Sequence, residues 1–349
     1  MRFRRRLPIL IGVLLVAATL AIVVFLRKHA PPEAARLLPA ADGFLYINFR
    51  GLRHSNLSGQ LPPVARDPDY EQFIQATGFQ FENDLQEAAF AIHYPVRGAG
   101  DLHYSEVFVA KIQGERLREY LHRIASSVES YRSTDIFSIP IEGRTLRVAI
   151  LGVNTVAASN QADPEVIRGM IDRSRKLASP FGGPSLLRKY YKYVPVAERY
   201  VPYASLCWTV FRVDPAAVGA AAGPSELSAL FSKPAVVVGS VGSISHLNKV
   251  SFQAEAFTDD EDEAKRVADQ LNTLLSVFRL GEKTVRQPAQ DPDIQQVFDS
   301  LQVRQKGDRT VLTASIPPKV IRKLLTGPPE TEGSRPAPDK STAPQGNTK

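Results

Sequence analysis

The chain has 349 residues, 43 of them Lys or Arg and 36 Asp or Glu, for a net charge of +7. Six of the basic residues precede the first acid, Glu33, so the remaining body is close to neutral and lacks the excess that a nucleic-acid binder uses for its phosphate contacts. A single cysteine, Cys207, excludes an internal disulfide framework.

Residues 1–6 read MRFRRR, a basic segment that includes Arg2, Arg4, Arg5 and Arg6. Residues 7–26 are uncharged and apolar. About 20 such residues span a bilayer core of about 30 Å as one helix. Pro8 falls in its first turn, where a missing N–H costs nothing. The positive charge ahead of the span predicts a cytoplasmic N-terminus, with the bulk exported across the bacterial inner membrane. A cleaved signal peptide is the rival reading, and a buried soluble helix a third. The apolar run is longer than a signal peptide's, and Arg27, Lys28 and His29 stand where a small-residue cleavage site would be.

Residues 27–36 form a Pro- and Ala-rich linker. Strand and helix patterns then alternate. GFLYINFR reads as a strand, and DYEQFIQATG as a short helix closed by Gly78. EAAFAIHYP and YSEVFVAKIQ read as strands joined by a turn-rich segment. ERLREYLHRIASSVES places Leu117, Tyr120, Leu121, Ile124 and Val128 on one helical face. DIFSIPIEG, RTLRVAILG and TVAASN are short β segments. DPEVIRGMIDRSRKLAS is a helix started by Asp163, with Pro164 at its first position.

The second half replays this order. ASLCWTVFRV, KPAVVVGSVGSI and KVSFQAEAFT are strands. The helix after them carries Ala264, Val267, Ala268, Leu271, Leu274, Leu275 and Phe278 on one stripe. DPDIQQVFDSL is a short helix, LQVRQKGDR and TVLTASIP are strands, and PKVIRKLLTG is a closing helix. Val166, Ile167, Met170 and Ile171 align without a gap on Val320, Ile321, Leu324 and Leu325. The preceding strands align one residue out of step, and a heptad shift leaves the long helices equally well matched. The expected architecture is α+β: the transmembrane helix, then two duplicated two-layer units, 37–184 and 204–327. Each has a mainly antiparallel sheet with helices on one face. Residues 328–349 have the composition of a disordered tail.

Local catalytic motifs are missing from the sequence: it holds no G-x-S-x-G, Walker loop, G-x-G-x-x-G, H-E-x-x-H or C-x-x-C. His93 and His103 fall where they would oppose each other across a hairpin, but two histidines are too few for a zinc site. Thr258 and Glu261 in TDDEDEAKR read as a capping box rather than a cation site. SPFGGPS reads as a linker with Ser185 as an N-cap rather than a phosphate cradle. Cys207 lies in an apolar run and reads as an inert buried thiol. No cofactor and no metal are expected.

The connector 185–203 is the unusual segment. Arg188, Lys189, Tyr190, Tyr191, Lys192, Tyr193, Arg199, Tyr200 and Tyr203 interleave cations with tyrosines. Such a patch suits contact with an envelope protein, lipid headgroups or a glycan. Alternatively it packs between the halves, with its cations reaching to water.

Through its anchor, the LLPAADGFLYINFR stretch and the repeat, the chain resembles uncharacterised bacterial single-span proteins with a domain of unknown function. That resemblance implies no activity and no site residues. A weaker likeness is to the periplasmic halves of secretion-system assembly proteins, which pair one span with small α+β domains that dimerise. The expected function is a membrane-anchored, extracytoplasmic, non-enzymatic binding or scaffold protein, able to form a homodimer. The alternative is an exported hydrolase whose site assembles from distant loops.

Overall fold

The structure is a computed structural model that describes residues 30–55, 66–95, 101–175, 183–195, 203–215, 229–244, 249–284 and 292–320. The expected anchor 7–26, the tail and most of the closing helix lie outside the described residues. So do Arg199 and Tyr200 of the connector. Among the described residues no helix is long and apolar enough to cross a membrane.

In chain order the elements are α1 (Glu33–Leu37), β1 (Gly43–Asn48), α2 (Phe49–Arg53), α3 (Pro68–Thr77), α4 (Phe81–Asp84), β2 (Leu85–His93), β3 (His103–Ala110), α5 (Gly114–Ile124), β4 (Ser127–Tyr131), β5 (Thr134–Ile141), β6 (Arg144–Ile150), β7 (Thr155–Ser159) and α6 (Glu165–Ser174). There follow α7 (Ser185–Tyr190), a 3₁₀ turn (Tyr191–Tyr193), β8 (Tyr203–Val213), β9 (Ala235–Ile244), β10 (Lys249–Phe257), α8 (Glu261–Thr284), α9 (Pro292–Ser300), β11 (Gln302–Lys306) and β12 (Arg309–Ile316).

The twelve strands among the described residues join one sheet, in the order β11-β12-β10-β9-β8-β1-β2-β3-β7-β6-β5-β4. Every neighbouring pair is antiparallel. β1 and β8 are the central seam, with Tyr46 opposite Trp208 and Phe44 opposite Val210. Moving outward from the seam, β1-β2-β3-β7-β6 on one side and β8-β9-β10-β12-β11 on the other have the same order. The first side continues into the hairpin β5-β4.

The expectation of two layers with helices on one face is corrected by the packing. Strand residues of one parity, Ile136, Ala149 and Ala157, pack with Ile167, Met170 and Ile171 of α6 and with α1 and α7. Residues of the other parity, Phe137, Val148 and Ala158, pack with Leu121 of α5. Alternate strand residues point to opposite faces. Helices therefore cover both faces, and the architecture has three layers. The cause is visible in β1, GFLYIN, which is apolar on both sides and needs cover on both. We call the face under α1, α6 and α7 the inner face. The outer face carries α5 at one flank and α8 at the other, where Val267 packs on Val213 and Ala235.

Several local expectations are also revised. The GFLYINFR strand stops at Asn48, whose Oδ1 accepts a 2.7 Å hydrogen bond from Gly51 N and caps α2. Val128 is not on α5. The helix ends at Ile124 because Ser126 bonds the Ser138 carbonyl through both its N–H (2.8 Å) and its Oγ (3.0 Å), which turns the chain into β4. The cap of α8 is Asp260, whose Oδ1 accepts from Glu263 N at 2.8 Å. Thr258 Oγ1 instead donates to the Asp260 and Asp308 carbonyls. Ser185 is the first helical residue of α7, which has no side-chain cap. α6 begins at Glu165, after Pro164, with Asp163 Oδ1 accepting from Glu165 N at 2.9 Å. On α8, Ala264, Val267 and Ala268 are buried, but Leu274 is 48 % exposed, so the expected stripe leaves the sheet midway.

Candidate functional site

The connector that the sequence singles out lies on the inner face. Tyr191 is buried against Trp208, ring centroids 5.3 Å apart and edge-on. Burial pushes its phenol up to about 12. Tyr190 and Tyr193 pack on Phe257 with centroids at 5.1 and 4.4 Å. The Arg309 guanidinium lies 5.0 Å from the Tyr193 ring and holds Glu255 at 2.9 Å. Arg188, Lys189 and Lys192 are exposed, and the Lys189 and Lys192 amines sit over the Tyr190 and Tyr193 rings. The tyrosines thus seat the connector on β8 and β10, while the cations face outward. Tyr203 opens β8.

Below Tyr191, Trp208 stacks on Tyr46 at 5.3 Å and 16°. Burial and the neighbouring Glu87, to which it is hydrogen-bonded, raise the Tyr46 phenol above its ordinary value. Burial raises Glu87 as well. This aromatic column ties the connector to both seam strands.

Beside the start of the connector, at the end of the seam, is a concavity of about 250 Å³. Asp42, His93, Ser185 and Arg212 line it, with Ala41 and Leu186 among its apolar walls. Antiparallel pairing explains how such distant residues meet. Asp42 precedes β1, and its carbonyl accepts from Arg212 N at 2.8 Å, while Asp42 N donates to the Ile92 carbonyl at 3.0 Å. His93 ends β2, next to that bond. The Asp42 carboxylate accepts from Tyr94 N at 3.1 Å through Oδ2, and its Oδ1 lies 3.9 Å from the Arg212 guanidinium. His93 Nε2 is buried, with no hydrogen-bonding group in reach among the described residues. Burial lowers the His93 imidazole below its usual value, the Asp42 charge opposes this, and His103 adds to it. The ring is therefore neutral at pH 7.

His93 and His103 do oppose each other, as a cross-strand pair. His103 Nδ1 lies 3.2 Å from the Asn160 carbonyl. Among the described residues no three His, Cys, Asp or Glu side chains converge as a metal site. Cys207 is half-buried on the outer face of β8, and burial raises its thiol. The acidic run around Glu263 is structural. Glu263 accepts from Ser232 N and Oγ, both at 2.8 Å, and pairs with Arg266. The Arg266 hydrogen bond, followed by those from Ser232, holds its carboxyl down at about 2.

Asp42 and Arg212 carry no local motif in the sequence. What brings them together is the pairing of β1 with β8, which is a long-range event.

No family model matches the chain, and no curated protein matches it in sequence. Solved structures similar to it include crystal forms IV and III of TP0453. Each is 9% identical, with a TM-score of 0.45, and the match covers 84% of this chain and 96% or 97% of theirs.

Proposed function

We propose that the chain is a membrane-tethered, exported binding protein of the bacterial envelope. The observation that carries this reading is the pocket at the seam. Polar groups converge on it, yet Asp42 and Arg212 stand 3.9 Å apart and His93 Nε2 has no partner among the described residues. The Asp42 and Arg212 side chains keep solvent contact and so present unspent hydrogen-bonding capacity to the concavity, which suits recognition. The apolar run 7–26 with its preceding arginines supports the tether and the orientation. The outward cations of the connector suit a partner in the envelope, a second copy of the chain included.

The two halves descend, in this reading, from a duplicated unit. The shared strand order on either side of the seam supports it, with β4-β5 as an addition to the first copy. Of the aligned positions, Ile167 is wholly buried; Ile321 lies outside the described residues.

An active alkaline phosphatase fused after Gly327 is the expected result, because its disulfides form only after export. An inactive fusion in the cytoplasm overturns the orientation. Crosslinking of the full chain in whole cells should capture a reproducible envelope partner or a dimer, and a chain that stays monomeric and alone counts against the binding role.

One observation favours a second reading as an exported hydrolase: Ser185, His93 and Asp42 line the same pocket. A nucleophile needs a base within hydrogen-bond reach, and Nε2 reaches none here, though such bonds tighten in substrate complexes. Covalent labelling by a fluorophosphonate, lost in Ser185→Ala, is the result that would establish this reading over the first.

A further inference from the structure

The charge balance of the seam pocket decides what it can hold. Asp42 spends Oδ2 on the Tyr94 N–H and leaves Oδ1 facing Arg212 at 3.9 Å, beyond hydrogen-bond range. Both side chains retain solvent contact, 36% for Asp42 and 58% for Arg212. One acceptor oxygen and a planar fork of donors thus face the same small concavity. His93 also lines it, with its Nε2 buried and unpartnered among the described residues. The remaining wall is short and apolar, with Ala41 and Leu186.

A guest with only a carboxylate would satisfy Arg212 and be repelled by Asp42. A guest with only an ammonium group would meet the reverse. A guest with both, set apart by one or two atoms, complements each charge with its opposite and leaves the pocket neutral. Charge-assisted hydrogen bonds of this kind are the stronger ones, and like-charge juxtaposition is what discriminates against the wrong ligand. The volume of about 250 Å³ admits a molecule of a few heavy atoms with a small apolar side group.

We propose that the seam pocket binds a small zwitterion of the α-amino-acid class, its carboxylate on Arg212 and its ammonium on Asp42 Oδ1. Ser185 and the body of the His93 ring complete the wall, with Nε2 itself sealed from the concavity. The inference rests on the reading of the chain as a binding protein and names the ligand class of that site.

The test is calorimetric titration of the full chain in detergent with L-alanine, propionate and ethylammonium. Each analogue is L-alanine with one of its two charged groups removed. L-Alanine should bind at least about tenfold more tightly than either single-charge analogue, since one lost charge-assisted contact is worth about that factor. Arg212→Gln and Asp42→Asn should each abolish the preference. The amide introduced by Asp42→Asn keeps an acceptor for the Tyr94 N–H, and the Arg212 side chain is largely exposed, so both variants should fold, as circular dichroism would verify. Propionate binding as well as L-alanine would overturn the proposal in favour of an anion site. Equal binding of ethylammonium would overturn it in favour of a cation site. No binding of any probe at 10 mM, on the order of a hundred-fold above a typical small-ligand constant, would overturn it outright. Envelope crosslinking could still succeed in that case, which separates failure of the ligand class from failure of the binding role.

Discussion

The two faces of the sheet are built from the same strands and treated very differently. On the inner face, Phe44, Ala89, Ala91, Val107 and Val210 are each wholly buried under α1, α6, α7 and the aromatic column. On the outer face, Leu45, Ile47, Phe90, Ile92 and Phe211 of the same central strands are only half-buried. Helices α5 and α8 cover the flanks there, and α2 covers one end, where Leu52 packs on Leu206 and Val250. Strand propensity is equal on both sides, so the difference comes from the helices. In these central strands the inner face carries more of the stability, and the stretch of the outer face between the flanking helices is where side chains can change at lower cost.

The largest effect that tests this contrast is a matched pair of truncations. Phe44→Ala should cost about 3–5 kcal/mol, because removal of a fully buried ring leaves a cavity. Phe90→Ala, one strand away on the other face, should cost less than half of that. Equal losses in chemical denaturation would erase the distinction between the faces.

Next comes Glu106, which faces outward between Phe90 and Ala158. Burial alone pushes its carboxyl up to about 7. In the unfolded chain it ionises near pH 4.5. Between those values the native state holds a proton that the unfolded state has released, so stability should fall as pH rises from about 4.5 to about 7 and level off above. The loss is on the order of 3 kcal/mol. Glu106→Gln should flatten that part of the profile, and a slope unchanged by the substitution would locate the titration elsewhere.

Asn48→Ala removes the cap of α2 and should cost about 1 kcal/mol, read as a lowered denaturation midpoint. The smallest effect is kinetic. Cys207 on the outer face should alkylate slowly but measurably at about pH 9, where a thiol begins to ionise. A thiol placed on the inner face by Val210→Cys in a Cys207→Ser background should stay unmodified while the chain is folded.

Much of the strand content was legible because alternation survives in short segments such as RTLRVAI and QVRQK. β4 was not. It is joined to β5 by Arg132 and Ser133 at φ of 48° and 58°, where glycine or asparagine is the usual hairpin signal. With that signal missing, Val128 in SSVES keeps the helical spacing of Leu117, Leu121 and Ile124. The cap of α8 was misplaced by two residues because Thr258, Asp259 and Asp260 all suit an N-cap, and only the ladder contact of Thr258 with Asp308 decides between them. His93 and His103 were legible as neighbours, since a hairpin fixes register locally. Asp42 and Arg212 were not. Their meeting depends on β1 choosing β8, and nothing in either strand's apolar pattern names its partner. The tyrosines of the connector were visible as a cluster, but their division into packed rings and outward cations is set by Phe257 and Trp208.

The pairing of β1 with β8 also bears on how the protein is made. Thr209 Oγ1 donates to the Phe44 carbonyl across 165 positions of sequence. As the chain is synthesised from its N-terminus, β1 and β2 are made long before β8, and one row of β1 backbone groups has nothing to bond until then. An apolar strand with an open edge is a template for the wrong neighbour, and long-range pairing is slow. The interval between synthesis of Asn48 and synthesis of Trp208 is therefore the stage at which this chain is most exposed to aggregation, and at which a chaperone would have the most to protect.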